Sequence, residues 1–110
     1  MTLLQQMAYD RARRRETLRL ATRRQLRRAL RTIVPAQRVV LFGSLVKPGR
    51  FSEISDIDLA LEREPSGMTH YQLTSLLAER LGRRVDIVLL PECRFRDRIA
   101  REGEVWMPKD

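Results

Sequence analysis

The sequence predicts a small α/β domain, and three observations predict it. A long opening stretch contains no helix breaker. Three short, largely apolar segments with strand character follow, and a segment with helical spacing separates the last two. Proline or glycine marks most of the boundaries between them.

The first element spans about Thr2 to Thr32. Leu18, Thr22, Leu26, Ala29, Leu30 and Ile33 recur at steps of three and four, the stripe of a helix packed on a core. Leu3, Leu4 and Met7 form a separate apolar patch ahead of an arginine run, expected either to fray or to pack against a second subunit. Pro35 ends the helix. "RVVLFG" then reads as a short buried strand, and Gly43-Ser44 stands at its end before what could be a short helix. "SDIDLALE" is the second strand, with Ile57, Leu59 and Leu61 on one face and Asp56, Asp58 and Ala60 on the other. After the loop "EREPSG", Ser66 is the expected N-cap of a helix from about Met68 to Leu81. Its buried side is Tyr71 or Leu73 with Leu76, Leu77 and Leu81, and Gly82 is its C-terminal glycine. "RRVDIVLL" is the third strand, with Val85, Ile87 and Leu89 opposite Asp86, Val88 and Leu90, and Pro91 stops it. A last helix is expected over Phe95 to Glu102, with Gly103 releasing the chain into "EVWMPKD".

Composition narrows the function classes. At 110 residues, 43% hydrophobic and 33% charged, the chain suits one globular domain. No apolar run approaches the roughly 18 residues of a bilayer span, so no membrane association is expected. The charge of the first residues follows their apolar patch, the reverse of a secretory signal, and a cytoplasmic protein is the expectation. A single cysteine, Cys93, and a single histidine, His70, exclude an internal disulfide and a cysteine–histidine zinc site. The net charge of +8 is uneven: residues 1–38 carry 11 arginines against Asp10 and Glu16, whereas residues 39–110 are near neutral. Such a helix is either a solvated basic face or a docking surface for nucleic acid or an acidic protein. With no base-stacking aromatic beyond Tyr9, nucleic acid is the less favoured partner.

The chemistry lies in the carboxylates. Asp56 and Asp58, two apart on one strand, point the same way, roughly 6–7 Å apart along the chain. Asp86 is a lone carboxylate on the next apolar strand. Three such charges on one sheet face repel and resist desolvation, a cost that a pair of divalent cations removes. Hard oxygen donors suit Mg²⁺, held by a few carboxylates together with substrate phosphates. Two such ions can serve phosphoryl or nucleotidyl transfer. Gly43 lets a phosphate approach the backbone, the Ser44 hydroxyl can hold its oxygens, and Lys47 and Arg50 can neutralise its charge. Taken singly, each feature has a plain structural reading: surface acids, a turn, and an Asp86 paired with Arg83 or Arg84.

Together, "LFGS", "SDIDLAL" and "VDIVLL" resemble the minimal nucleotidyltransferases of the DNA polymerase β-like superfamily. The closing "FRDRIAREGEVWM" is similar to that family's last helix and terminal apolar stretch, so the resemblance covers residues 38–107, with the basic helix of residues 1–34 ahead of it in a single 1–110 domain. It implies a short mixed β-sheet flanked by helices. It also implies that Gly43 and Ser44 hold the nucleoside triphosphate, that Asp56 and Asp58 bind two Mg²⁺ ions, and that Asp86 completes the site and helps activate the acceptor hydroxyl. The chain departs from the pattern in an 11-residue spacer, Leu45 to Ser55, and in "LVKPG" where an arginine-bearing turn is usual; Lys47 stands in for that arginine. Small members of this family are commonly antitoxins that transfer AMP from ATP to a tyrosine of a HEPN-type ribonuclease toxin. That is the function the resemblance implies. The alternatives are a non-catalytic module that neutralises its partner by contact, and nucleotidyl transfer to another acceptor.

Overall fold

The computed structural model describes residues 1–110. Its elements, in chain order, are α1 (Leu3–Ile33), β1 (Val39–Phe42), a one-turn 3₁₀ helix (Gly43–Val46), β2 (Ile57–Leu61), α2 (His70–Leu81), β3 (Val85–Leu89), a second 3₁₀ turn (Leu90–Glu92), α3 (Arg96–Glu102) and β4 (Glu104–Trp106). The four strands form one mixed sheet in the order β3-β2-β1-β4. β1 runs antiparallel to β2 and to β4, and β2 runs parallel to β3.

α1 begins at a capping box: Thr2 Oγ1 accepts from the Gln5 N–H at 3.1 Å, and Gln5 Oε1 accepts from the Thr2 N–H at 2.8 Å. The helix therefore starts at residue 3. Only its second half packs into the core, where Thr22, Leu26, Ala29 and Leu30 are buried as their spacing predicts. Residues 3–10 stand clear as an arm of about 12 Å, with Leu3 and Leu4 75% and 77% exposed, whereas Arg11, Arg14 and Arg15 border a pocket with Ser52, Glu53 and Ile54; the long axis of the molecule reaches 54 Å.

Strand alternation sorts side chains to two sheet faces. Val39, Leu41, Ile57, Leu59 and Leu61 face α1 and α2 and join Leu26, Leu30, Leu73, Leu77 and the fully buried Phe51 in the main core. On the other face Val40 and Ala60 pack with Ile99 of α3 in a small second cluster. α3 is short and leaves part of this face uncovered, and Asp58, two residues before Ala60 on β2, lies on that side.

Three expectations need correction. The N-cap of α2 is Thr69, not Ser66, because Thr69 forms a capping box with Gln72 whereas Ser66 precedes a turn at Gly67. Leu73 and not Tyr71 fills the core, and Leu76 is also outward, since the helix starting at His70 turns Leu73 and Leu77 inward. The segment after Gly103 is a strand, β4, which pairs with β1 in the register Val39↔Trp106 and Val40↔Val105. Gly82 holds the left-handed conformation (φ 61°) expected of a helix-ending glycine.

Candidate active site

Strand register assembles the acidic face. Phe42 of β1 lies opposite Asp58 of β2, and Asp58 lies beside Asp86 of β3. Asp56 precedes β2, two residues before Asp58. Burial raises the Asp58 carboxyl most, the negative charges of Asp86 and Asp56 raise it further, and together they push it from 3.8 up to about 6. None of the three aspartates has an ion-pair partner. The plain reading of Asp86, a pair with Arg83, does not hold. Arg83 Nη1 instead donates to the carbonyl oxygens of Ser52, Glu53 and Ser55 at 3.0–3.2 Å, and its guanidinium lies over the Phe51 ring.

Those contacts explain how an 11-residue spacer is held still. Phe51 anchors its middle in the core, and Arg83 gathers three carbonyls of its end immediately before Asp56. The start of the spacer is held from α1, where Arg19 Nη1 donates to the Leu45 carbonyl at 3.0 Å and is itself oriented by Glu16 at 2.6 Å. These fixed ends keep the Gly-Ser turn and the Asp-x-Asp strand in one geometry.

Gly43 sits at φ 77°, and a Cβ added there would collide with Asp58 Oδ2. Two independent constraints thus demand glycine: the backbone conformation and the carboxylate packed against it. Ser44 follows, half-buried, in the 3₁₀ turn. Lys47 is exposed at the end of that turn and lines a cleft beside it, whereas Arg50 is exposed in the following turn and is not part of the cleft wall. The cleft, about 280 Å³, opens between the Gly43–Val46 turn and α3 and has Phe42, Val88, Cys93 and Ile99 among its walls. Its α3 side lies in the segment that resembles the family's last helix, but none of the candidate site residues read from the sequence falls there.

No three acidic, histidine or cysteine side chains form a ready-made metal-ion site. Asp58 and Asp86 are neighbours by register, Asp56 lies two residues before Asp58, and the charges of both bear on Asp58. The donor chemistry still fits Mg²⁺, which is usually held by one or two carboxylates together with substrate phosphates and keeps several waters. The like charges concentrated on Asp58 are the feature a divalent cation offsets.

Comparison with known proteins agrees with this geometry. The model of the family "Polymerase beta, Nucleotidyltransferase" matches residues 24–110, from the middle of α1 to the C-terminus. No curated protein and no solved structure matches the chain. No helix is long and apolar enough to cross a membrane. With a mixed sheet, an acidic face on adjacent strands and a glycine turn against the central carboxylate, the chain belongs to the polymerase beta nucleotidyltransferase family.

Proposed function

We propose that this nucleotidyltransferase moves AMP from ATP onto a hydroxyl of a partner protein, a tyrosine of a HEPN-type ribonuclease toxin, and so acts as its antitoxin. The observation that carries the chemical half is the Asp58 carboxylate, packed on Gly43 and charged against Asp86 and Asp56, with no basic residue to neutralise it. The partner half is supported by the resemblance to small antitoxin members of the family. It is also supported by a basic helix, α1, whose partly apolar arm is available for docking.

In this reading Asp56 and Asp58 hold two Mg²⁺ ions and Asp86 completes the site. Bound Mg²⁺ supplies Lewis-acid stabilisation of charge on the phosphate oxygens. Gly43 and Ser44 receive the triphosphate, and Lys47, with Arg50 further out, offsets its charge. The acceptor oxygen attacks the α-phosphorus, the bond from that phosphorus to the bridging oxygen breaks, and pyrophosphate leaves. The acceptor's proton passes to Asp86, the most exposed of the three carboxylates and so the one best placed to release it to water.

The test is intact-protein mass spectrometry of the HEPN-type partner after incubation with the protein, ATP and Mg²⁺. A gain of one or more AMP masses, lost with Asp58→Asn, is expected. A stable complex with no mass gain would replace transfer by neutralisation through contact, and a gain that survives Asp58→Asn would refute the site assignment.

A further inference from the structure

The cleft beside the carboxylates has a wall built by one helical stripe: Phe95, Arg98, Ile99 and Glu102 recur at i, i+3, i+4 and i+7 along the start and body of α3. Phe42, Val46 and Val88 also line it. Val88 and Asp86 share a face of β3, roughly 6–7 Å apart along the strand. Phe42 lies opposite Asp58 in the sheet, and Gly43 touches both the cleft and the Asp58 carboxylate. The cleft therefore begins where the acidic face ends. At about 280 Å³ it lies just under the roughly 300–1,000 Å³ of small-molecule pockets, a size for a ring and sugar and not for a whole triphosphate.

We propose that this cleft seats the nucleoside half of the substrate and selects for ring size, not for base identity. The inference rests on the nucleotidyl-transfer reading and adds to it where the base goes and how it is chosen. The walls are mostly apolar and aromatic. Every buried side-chain polar atom in the protein is already hydrogen-bonded, and the charged side chains lining the cleft, Lys47, Arg98 and Glu102, lie at exposed positions. Arg98 and Glu102 pair with each other at 3.2 Å, and Lys47 is the residue assigned above to the phosphates. Phe95, 63% exposed, presents a ring on which a base can stack. Apolar pockets discriminate weakly between ligands that differ by a polar group. ATP and GTP are thus expected to bind within about tenfold of each other, and the smaller pyrimidine rings more weakly.

Cys93, the only cysteine in the chain, lines the cleft and is free, which makes it a reporter. The experiment measures its alkylation by iodoacetamide, alongside calorimetric binding, in the presence of Mg²⁺ with ATP, GTP, UTP or inorganic triphosphate. Saturating ATP and GTP are expected to slow alkylation about tenfold or more, and UTP less, because a seated base covers the thiol. Inorganic triphosphate, which fills only the phosphate end, is expected to bind without protecting. Phe95→Ala, at an exposed position that the fold does not need, is expected to weaken ATP about tenfold and leave triphosphate affinity unchanged. ATP binding without protection, equal protection by triphosphate, or equal weakening of both ligands by Phe95→Ala would overturn the nucleoside seat alone. Absence of any ATP binding would remove the transferase reading and this inference with it.

Discussion

Replacing Asp58 by asparagine should stabilise the folded protein while destroying its activity. The folded state holds the Asp58 carboxyl near 6 against 3.8 in the ordinary state, so the native protein binds a proton that the unfolded chain has already released. Stability from this group is therefore fully present below 3.8 and is lost as the pH rises through about 6. Such a shift corresponds to about 3 kcal/mol at neutral pH. The side chain is only half-buried, and allowing for solvent screening leaves roughly 1–2 kcal/mol. Asparagine keeps the volume and removes the charge. In the absence of divalent ions, urea unfolding at pH 8 should show the variant more stable than the parent by that amount. The advantage should vanish near pH 3.5, where the aspartate is protonated. A variant less stable than the parent at pH 8, or an advantage that does not change with pH, would refute the electrostatic account of this face.

Other consequences are simpler to measure. Gly43→Ala, which meets both a positive φ and the Asp58 carboxylate, should cost about 1–3 kcal/mol in chemical denaturation and lower transfer at least about a hundredfold in a turnover assay. Leu26→Ala, at a fully buried position, should cost about 2–5 kcal/mol, whereas Leu4→Ala on the arm should stay within about 0.5 kcal/mol. An equal effect of the two would contradict the division of α1 into a packed half and a free arm. Burial alone would raise the Glu104 carboxyl, but hydrogen bonds from Arg23 and Trp106 and the charges of Arg23 and Arg27 outweigh it and hold it below its usual value. Its contribution is present above pH 4.5 and is lost as the pH falls through the lowered value, so Glu104→Gln should weaken the fold by up to about 1 kcal/mol at pH 7. That penalty should shrink below pH 4.5 in urea titrations.

Much of the fold could be read because its signals are local. The α1 stripe, the three apolar strands, the helix-ending Gly82 and the carboxylate alternation of β2 and β3 all rest on side-chain periodicity within a few residues. β4 could not be read in the same way. Glu104-Val105-Trp106 is too short to show a pattern and is a strand only because β1 offers it an edge. The start of α2 is ambiguous in sequence because two hydroxyl residues compete for the cap, and the reciprocal bond to Gln72 decides for Thr69.

The candidate site divides along the same line. Asp56, Asp58 and Asp86 were visible in sequence, and register places Asp58 beside Asp86. The pressure of Asp58 on Gly43 was not visible, since it depends on β1 and β2 pairing with Phe42 opposite Asp58. Arg83 read as a partner for Asp86, yet its reach to three carbonyls of the spacer is a tertiary contact that spacing alone does not reveal. The cleft wall of α3 was hidden because Phe95, Arg98 and Ile99 acquire meaning only when α3 packs over Val40 and Ala60.

The central claim is that the acidic face catalyses transfer of a nucleotidyl group, and the product that reports this whatever the acceptor is pyrophosphate. We would incubate the protein and its partner with Mg²⁺ and ATP labelled at the γ-phosphate, then separate pyrophosphate from orthophosphate. Labelled pyrophosphate is expected in proportion to modified partner, abolished by Asp58→Asn or by chelation of Mg²⁺. Orthophosphate alone, or pyrophosphate that persists with Asp58→Asn, would contradict it.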